Sequence, residues 1–238
     1  MAAKGTGTRG GAKGLGAPAI AAEIGRELAP RTAATVLELR RMRREFSGRL
    51  REAPPLAVIG AALRLSKVPL RGFRFVAYEL VRDHPLAPSL LDARRLERLG
   101  RGMASWDAVD CFSVYLSGPA WRRRTVPDSV IHGWARSADR WWRRAALVST
   151  VPLNSRAHGG SGDAGRTLRV CRILARDRDP MVTKALSWAL RELAKRDPGA
   201  VRGFLAERSG ALAALVRREV RNKLETGLKN PGKRRSAR

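Results

Sequence analysis

Apolar residues along this chain recur at helical spacing rather than in strand-like alternation. From Asp179 to Lys195, the residues Val182, Ala185, Leu186, Ala189, Leu190 and Leu193 share one arc of a helical wheel, a core-facing stripe. From Ser105 to Ser117, Val109, Phe112 and Leu116 form a second stripe. In the segment that starts at Asp139, Trp141, Ala145 and Val148 form a third, at i, i+4 and i+7. Sustained period-two alternation is missing, as are Asn-Gly and Asp-Gly hairpin turns. Start and stop residues agree with helices. Pro69 predicts the first turn of a helix through Val81. Ser105 predicts the cap of a helix that Gly118-Pro119 ends. Asp128 and Asp139 predict caps of two consecutive helices. Asp179-Pro180 opens a helix that Asp197-Pro198 closes, and Ser209 predicts the cap of the last long helix.

These signals give about eleven helices with short connections, too irregular for a coiled coil. The fold class expected is all-α, with short antiparallel helix pairs stacked as HEAT-type repeats, and a globular helical bundle as the alternative. Residues 1–17 are Gly-rich and read as a flexible basic arm, 18–226 as the helical domain and 227–238 as a basic tail. The stretch 153–166 reads as a surface loop.

Charge narrows the function. The 238 residues carry 48 Lys+Arg against 21 Asp+Glu, a net charge of +27. Residues 1–16 contribute +3 and residues 217–238 contribute +7, so +17 stays on the body of the chain. Such an excess favours an anionic partner, nucleic acid before membrane surface. Two cysteines exclude a disulfide framework and a four-Cys zinc site, and His84, His132 and His158 lack companions at ligand spacing. No cofactor is expected. No run of eighteen apolar residues and no signal-peptide pattern occur, so a reduced, cytoplasmic, soluble chain acting as a monomer is expected. Phosphate-cradling glycine loops and a GxSxG elbow are absent.

Three helical faces carry candidate chemistry. Opposite the stripe of 182–193 lie Met181, Lys184, Trp188, Arg191 and Lys195, a tryptophan amid cations. Trp188 is either packed under a neighbouring helix or a stacking platform on a nucleic-acid surface. Beside the stripe of 109–116 lie Trp106, Asp110, Ser113 and Ser117, which sets Trp106 and Asp110 one turn apart. Asp110 is either an arginine's salt-bridge partner or a catalytic carboxylate. Arg140 and Arg144 lie one turn apart beside the third stripe, either a solvated edge or phosphate contacts.

Taken together, Ser105-Trp106-Asp107-Ala108-Val109-Asp110, Trp141-Trp142-Arg143-Arg144-Ala145-Ala146 and Lys184-Ala185-Leu186-Ser187-Trp188-Ala189-Leu190-Arg191-Glu192 resemble the AlkD-like DNA alkylation-repair glycosylases. That family shows Trp-Asp-x-Val-Asp, Trp-x-x-Arg-Ala and Lys-Ala-x-x-Trp-x-Leu-Arg-Glu in this order. The likeness runs from about Thr35 to Lys223. It implies a HEAT-like solenoid with a concave basic face that binds double-stranded DNA. It implies a monofunctional DNA glycosylase excising N3- and N7-alkylpurines in base excision repair, without flipping the base. Asp110 takes the place of the catalytic aspartate, Trp106 and Trp188 of the cleft tryptophans, and Arg144 of the phosphate-contacting arginine. Lys184, Arg191 and Arg140 are further expected DNA contacts. The family's N-terminal cleft aromatic has no clear counterpart, Phe46 being the one candidate, and the loop 153–166 is longer than the family pattern. The alternative is a non-enzymatic helical-repeat scaffold that binds nucleic acid with the same residues and keeps Asp110 structural.

Overall fold

The computed structural model describes Gly14 and residues 16–31, 33–70 and 72–231. Most of the expected arm and the end of the expected tail lie outside the described residues. Among the described residues every regular element is helical, and the helices pack in a repeat-like, solenoid-type arrangement. No described helix is long and apolar enough to cross a membrane.

The chain divides into two compact units, Met1–Leu90 and Leu91–Arg238. The first unit holds α1 (Ala17–Leu28), α2 (Val36–Arg49), α3 (Pro55–Leu65) and α4 (Phe73–Asp83). Thr35 and Glu38 form a reciprocal capping box at the start of α2. Buried Glu79 on α4 accepts from Arg43 Nε on α2 at 3.0 Å and from Arg82 at 2.9 Å, which ties the two helices together. Phe46 is 2% exposed in this unit's core, so it packs rather than walls an open cleft. The helix expected from Pro69 starts instead at Phe73. Gly72 precedes it at φ +88°, a left-handed turn that breaks any helix arriving from Pro69.

The second unit holds α5 (Ala93–Gly100), α6 (Trp106–Phe112), α7 (Gly118–Arg122), α8 (Asp128–Ala135), α9 (Arg140–Val148), α10 (Val151–Asn154), α11 (Ala164–Ile173), α12 (Pro180–Leu193), α13 (Pro198–Arg208) and α14 (Ala214–Thr226). Helix α9 packs against α6, α8 and α12, and α12 packs against α14. All six residues of the expected stripe on α12 are buried, as are Val109, Phe112 and Leu116. Phe112, Trp134 and Trp142 form an aromatic cluster with centroids 4.8–6.0 Å apart. Trp142, not Trp141, is the α9 tryptophan that joins this cluster; Trp141 is half-buried and lies under the Arg140 guanidinium at 4.9 Å.

Several expected boundaries differ. The helix through Ser105 does not end at Gly118-Pro119. Residues Ser113–Ser117 form a π-helical turn in which Gly118 N–H reaches Ser113 O, and α7 continues to Arg122. The wide turn opens the hydrogen-bond ladder where Pro119 has no N–H to give. Gly118 is needed there, because a Cβ would sit 2.7 Å from Pro152 Cγ and 2.8 Å from the carbonyl oxygens of Ser113 and Ser149. Asp128 is the first residue of α8 rather than its cap, since its carboxylate accepts Trp121 Nε1–H at 2.7 Å. Asp197 caps α13 through Ala200 N–H. Ser209 closes α13, and Ala213 precedes α14.

The expected surface loop 153–166 is largely pinned down. Leu153, Asn154 and Gly160 are buried. Asn154 donates to Thr150 O and Thr167 Oγ1 and accepts from Asp163 N–H. Arg196 donates to Asn154 O and Gly160 O at 2.7 and 2.8 Å. The polar sequence there satisfies backbone groups internally, while Arg156, Ala157, Gly159, Ser161, Gly162 and Gly165 stay exposed as a surface loop requires.

Candidate functional site

The site starts from how α6 meets α9. The face of α6 that opens at Trp106 runs from solvent into the core. Trp106 is 58% exposed, while Ser113 and Ser117 are fully buried. Ser117 Oγ bonds Ser149 Oγ at 2.7 Å, and Ser149 donates to Ala145 O at 2.7 Å. These small side chains bring α9 close to the π-helical turn and set the register of α9 against the start of α6. There Asp110 meets Arg144.

Arg144 donates Nε–H to Asp110 Oδ1 at 2.9 Å and Nη2–H to Oδ2 at 2.7 Å, a two-pronged pair. Its Nη1 donates to the Met181 carbonyl at 2.6 Å. That carbonyl belongs to the first turn of α12 and has a lone pair to spare beyond its intrahelical bond. One guanidinium therefore links α6, α9 and α12. The side chains of Arg144 and Asp110 are 7% and 18% exposed. Burial pushes the Asp110 carboxyl above the ordinary carboxylate range, against the downward pull of Arg144, and the nearby Asp107 charge adds to the rise. Asp110 is thus an arginine's salt-bridge partner that lies one turn from an exposed tryptophan.

Around this pair the other expected residues divide. Arg140 is half-exposed and reaches Asp179 Oδ2 at 3.5 Å. Asp179 caps α12 through Met181 N–H and Val182 N–H, and those bonds and Arg140 hold its carboxyl below the ordinary range although burial opposes them. Lys184 is exposed and Trp188 half-buried on α12. Neither bonds to Asp110 or Arg144. Trp188 lies two turns beyond Met181, about 10 Å along the axis. Arg191 turns away from this cluster: it donates to Ser187 Oγ at 3.1 Å and lies 3.8 Å from buried Glu219 on α14. Burial lowers the Arg191 pKa, with Glu219 pulling the other way. Its placement ties α12 to α14. Arg143, the neighbour of Arg144, is likewise structural, bonding Asp177 Oδ2 at 2.7 Å and the carbonyls of Ser137 and Ala138.

The Met181 carbonyl is the part that the sequence did not signal, because a backbone acceptor leaves no trace in side-chain type. Among the described residues, no grouping of three or more His, Cys, Asp or Glu is placed to hold a metal ion. What the cluster offers is one carboxylate fixed by Arg144, an exposed indole one turn away, and the half-exposed Arg140 on the same helix as Arg144.

No curated protein matches the chain. A family model described as DNA alkylation repair enzyme matches residues 19–224, which include α6, α9 and α12 entire. The chain therefore belongs to the DNA alkylation repair enzyme family.

Proposed function

We propose that the protein is a monofunctional DNA glycosylase that releases cationic N3- and N7-alkylpurines from duplex DNA as the first step of base excision repair. The observation that carries this reading is the Asp110 carboxylate, fixed by Arg144 and one helical turn from exposed Trp106. Alkylation at N3 or N7 puts a positive charge on the purine, so the C1′–N bond breaks with its electron pair leaving on the base. The sugar then carries developing positive charge. A preorganised carboxylate beside it stabilises that charge, and water adds to C1′ while its proton passes to the carboxylate or to solvent. Each Asp110 oxygen accepts one bond from Arg144 and keeps a second lone pair for water. Trp106 and Trp188 would flank the lesion nucleotide. Arg144 has used three of its five N–H groups, leaving two for a phosphate oxygen. Exposed Lys184 and Arg140 add positive charge for the strand.

This chemistry depends on a base that leaves by itself, since none of these residues is placed as an acid to protonate a neutral one. Duplexes differing only in the lesion test it. Release of 7-methylguanine and 3-methyladenine is expected, with an abasic site and an intact strand until alkali is added. Efficient uracil release, or a borohydride-trapped adduct on a lysine, would overturn the mechanism.

A further inference from the structure

Helix α14 continues the layer of helices that carries the site. Within the second unit, α6, α9, α12 and α14 pack side by side in that order, and α8, α11 and α13 form a row behind α9 and α12. A buried hydrogen bond fixes α14 on α12: Ser187 Oγ donates to Glu219 Oε2 at 2.6 Å. Arg191 Nε lies 3.8 Å from the same oxygen, and Lys229 Nζ lies 3.3 Å from Oε1. Ser187 therefore marks the side of α12 that meets α14, and Glu219 the side of α14 that meets α12. From Ser187, buried Leu186 and Leu190 lie about 100° and 60° round the helix in one sense, and Trp188 and Lys184 about 100° and 60° in the other. From Glu219, buried Val220 and Val216 lie about 100° and 60° in one sense, and Arg218 about 100° in the other. The apolar pairs turn into the core under the layer, so Arg218 stands on the same open face as Trp188 and Lys184. It is exposed and has no hydrogen-bond or ion-pair partner among the described residues. Its neighbour Arg217 is spent on the carbonyls of Ser209 and Leu212 at 3.0 and 3.1 Å. Arg221 lies about 160° from Glu219 and points away from α12. Glu225, the next acid along this face, is two turns on and pairs with neither arginine.

We propose that Arg218 is a backbone-phosphate contact for duplex DNA, which carries the interface one helix beyond the three that bear the motifs. It rests on the reading of this protein as a DNA-binding enzyme. The Ser187–Glu219 bond sets Arg218 level with Trp188, one interaxial spacing of roughly 8–10 Å away. A free guanidinium fork at that place takes a phosphodiester through two N–H bonds. From α9, which holds Arg144, to α14 is two such spacings, roughly 16–20 Å, or about five to six phosphate steps along one strand. A duplex spans that distance, whereas a free phosphate occupies one point of it.

The test compares Arg218→Gln with Arg202→Gln, which removes an exposed arginine from α13 in the row behind. An undamaged duplex of about 21 base pairs is titrated against each over a range of salt. For Arg218→Gln the slope of log affinity against log salt should flatten by about 0.9, the share of one phosphate no longer neutralised. Arg202→Gln should keep the wild-type slope. A wild-type slope for Arg218→Gln would overturn the contact, and so would equal flattening by both variants, which would show an effect of net charge alone. Should Arg218→Gln not fold, modification of the wild-type chain by an arginine-directed dicarbonyl reagent decides. The duplex protects Arg218 and leaves Arg202 reactive, or the proposal fails; equal protection of Arg218 by inorganic phosphate at the same phosphate concentration also overturns it. A wild-type chain without salt-dependent duplex affinity would overturn the DNA-binding reading and the contact with it, a result distinct from the loss of the contact alone.

Discussion

Asp110 carries a negative charge where burial disfavours it, and Arg144 is what keeps it there. The pair adds little net stability, because desolvation offsets most of the attraction, but each partner alone is costly. Arg144→Ala should therefore destabilise the fold by about 3 kcal/mol and raise the Asp110 pKa further. Thermal melting and the pH profile of base release check the two effects; a variant with an unchanged profile would mean that Arg144 does not tune the carboxylate. In the wild type the sign is set by the raised carboxyl. In the proposed mechanism the ionised form is the active one, so release should fall as pH drops through a midpoint above the ordinary aspartate value of about 3.9. A midpoint at or below that value would show that burial does not govern this group.

Among the elements, α6, the π-helical turn and α7 form the beam on which Asp110 is set. Gly118 permits its close approach to the carbonyl of Ser149 and to Pro152. Gly118→Ala should cost about 1–3 kcal/mol, as overpacking does, and should lower base release by shifting α6 against α9. A melting temperature equal to the wild type would contradict this account of the turn. The apolar stripes of α6 and α12 were legible in the sequence because burial imposes the helical period. The Asp139 and Asp179 caps were legible because their carboxylates bond the first-turn N–H groups. Residues with a second use were misread. Asp128 serves Trp121 rather than its own helix, and Gly118-Pro119 passes through a widened turn instead of stopping the helix. Gly72 breaks the segment after Pro69 through a left-handed conformation that residue type alone permits but does not require. The stretch 153–166 has loop composition, yet Asn154 and Arg196 bind it down through backbone groups.

For the whole molecule, the family was legible because its three motifs survive in order, and all three lie in the second unit. The pairing of Asp110 with Arg144 was not, since residues 34 apart meet only once α6 and α9 have packed. Each helical wheel showed an arginine or a carboxylate at an edge, and neither showed its partner. The proposed chemistry needs no metal, so activity should persist in excess chelator, and activity restored only by a divalent cation would refute that part of it. The central claim is that the Asp110 charge stabilises the departing sugar. It is tested most directly by single-turnover release of 7-methylguanine from a saturated duplex, comparing the wild type with Asp110→Asn. The account predicts duplex affinity equal to or tighter than wild type and a release rate lower by about 10²–10³-fold, the effect of removing one preorganised charge. Equal release by the two proteins would contradict it and leave Asp110 as Arg144's structural partner in a nucleic-acid-binding scaffold.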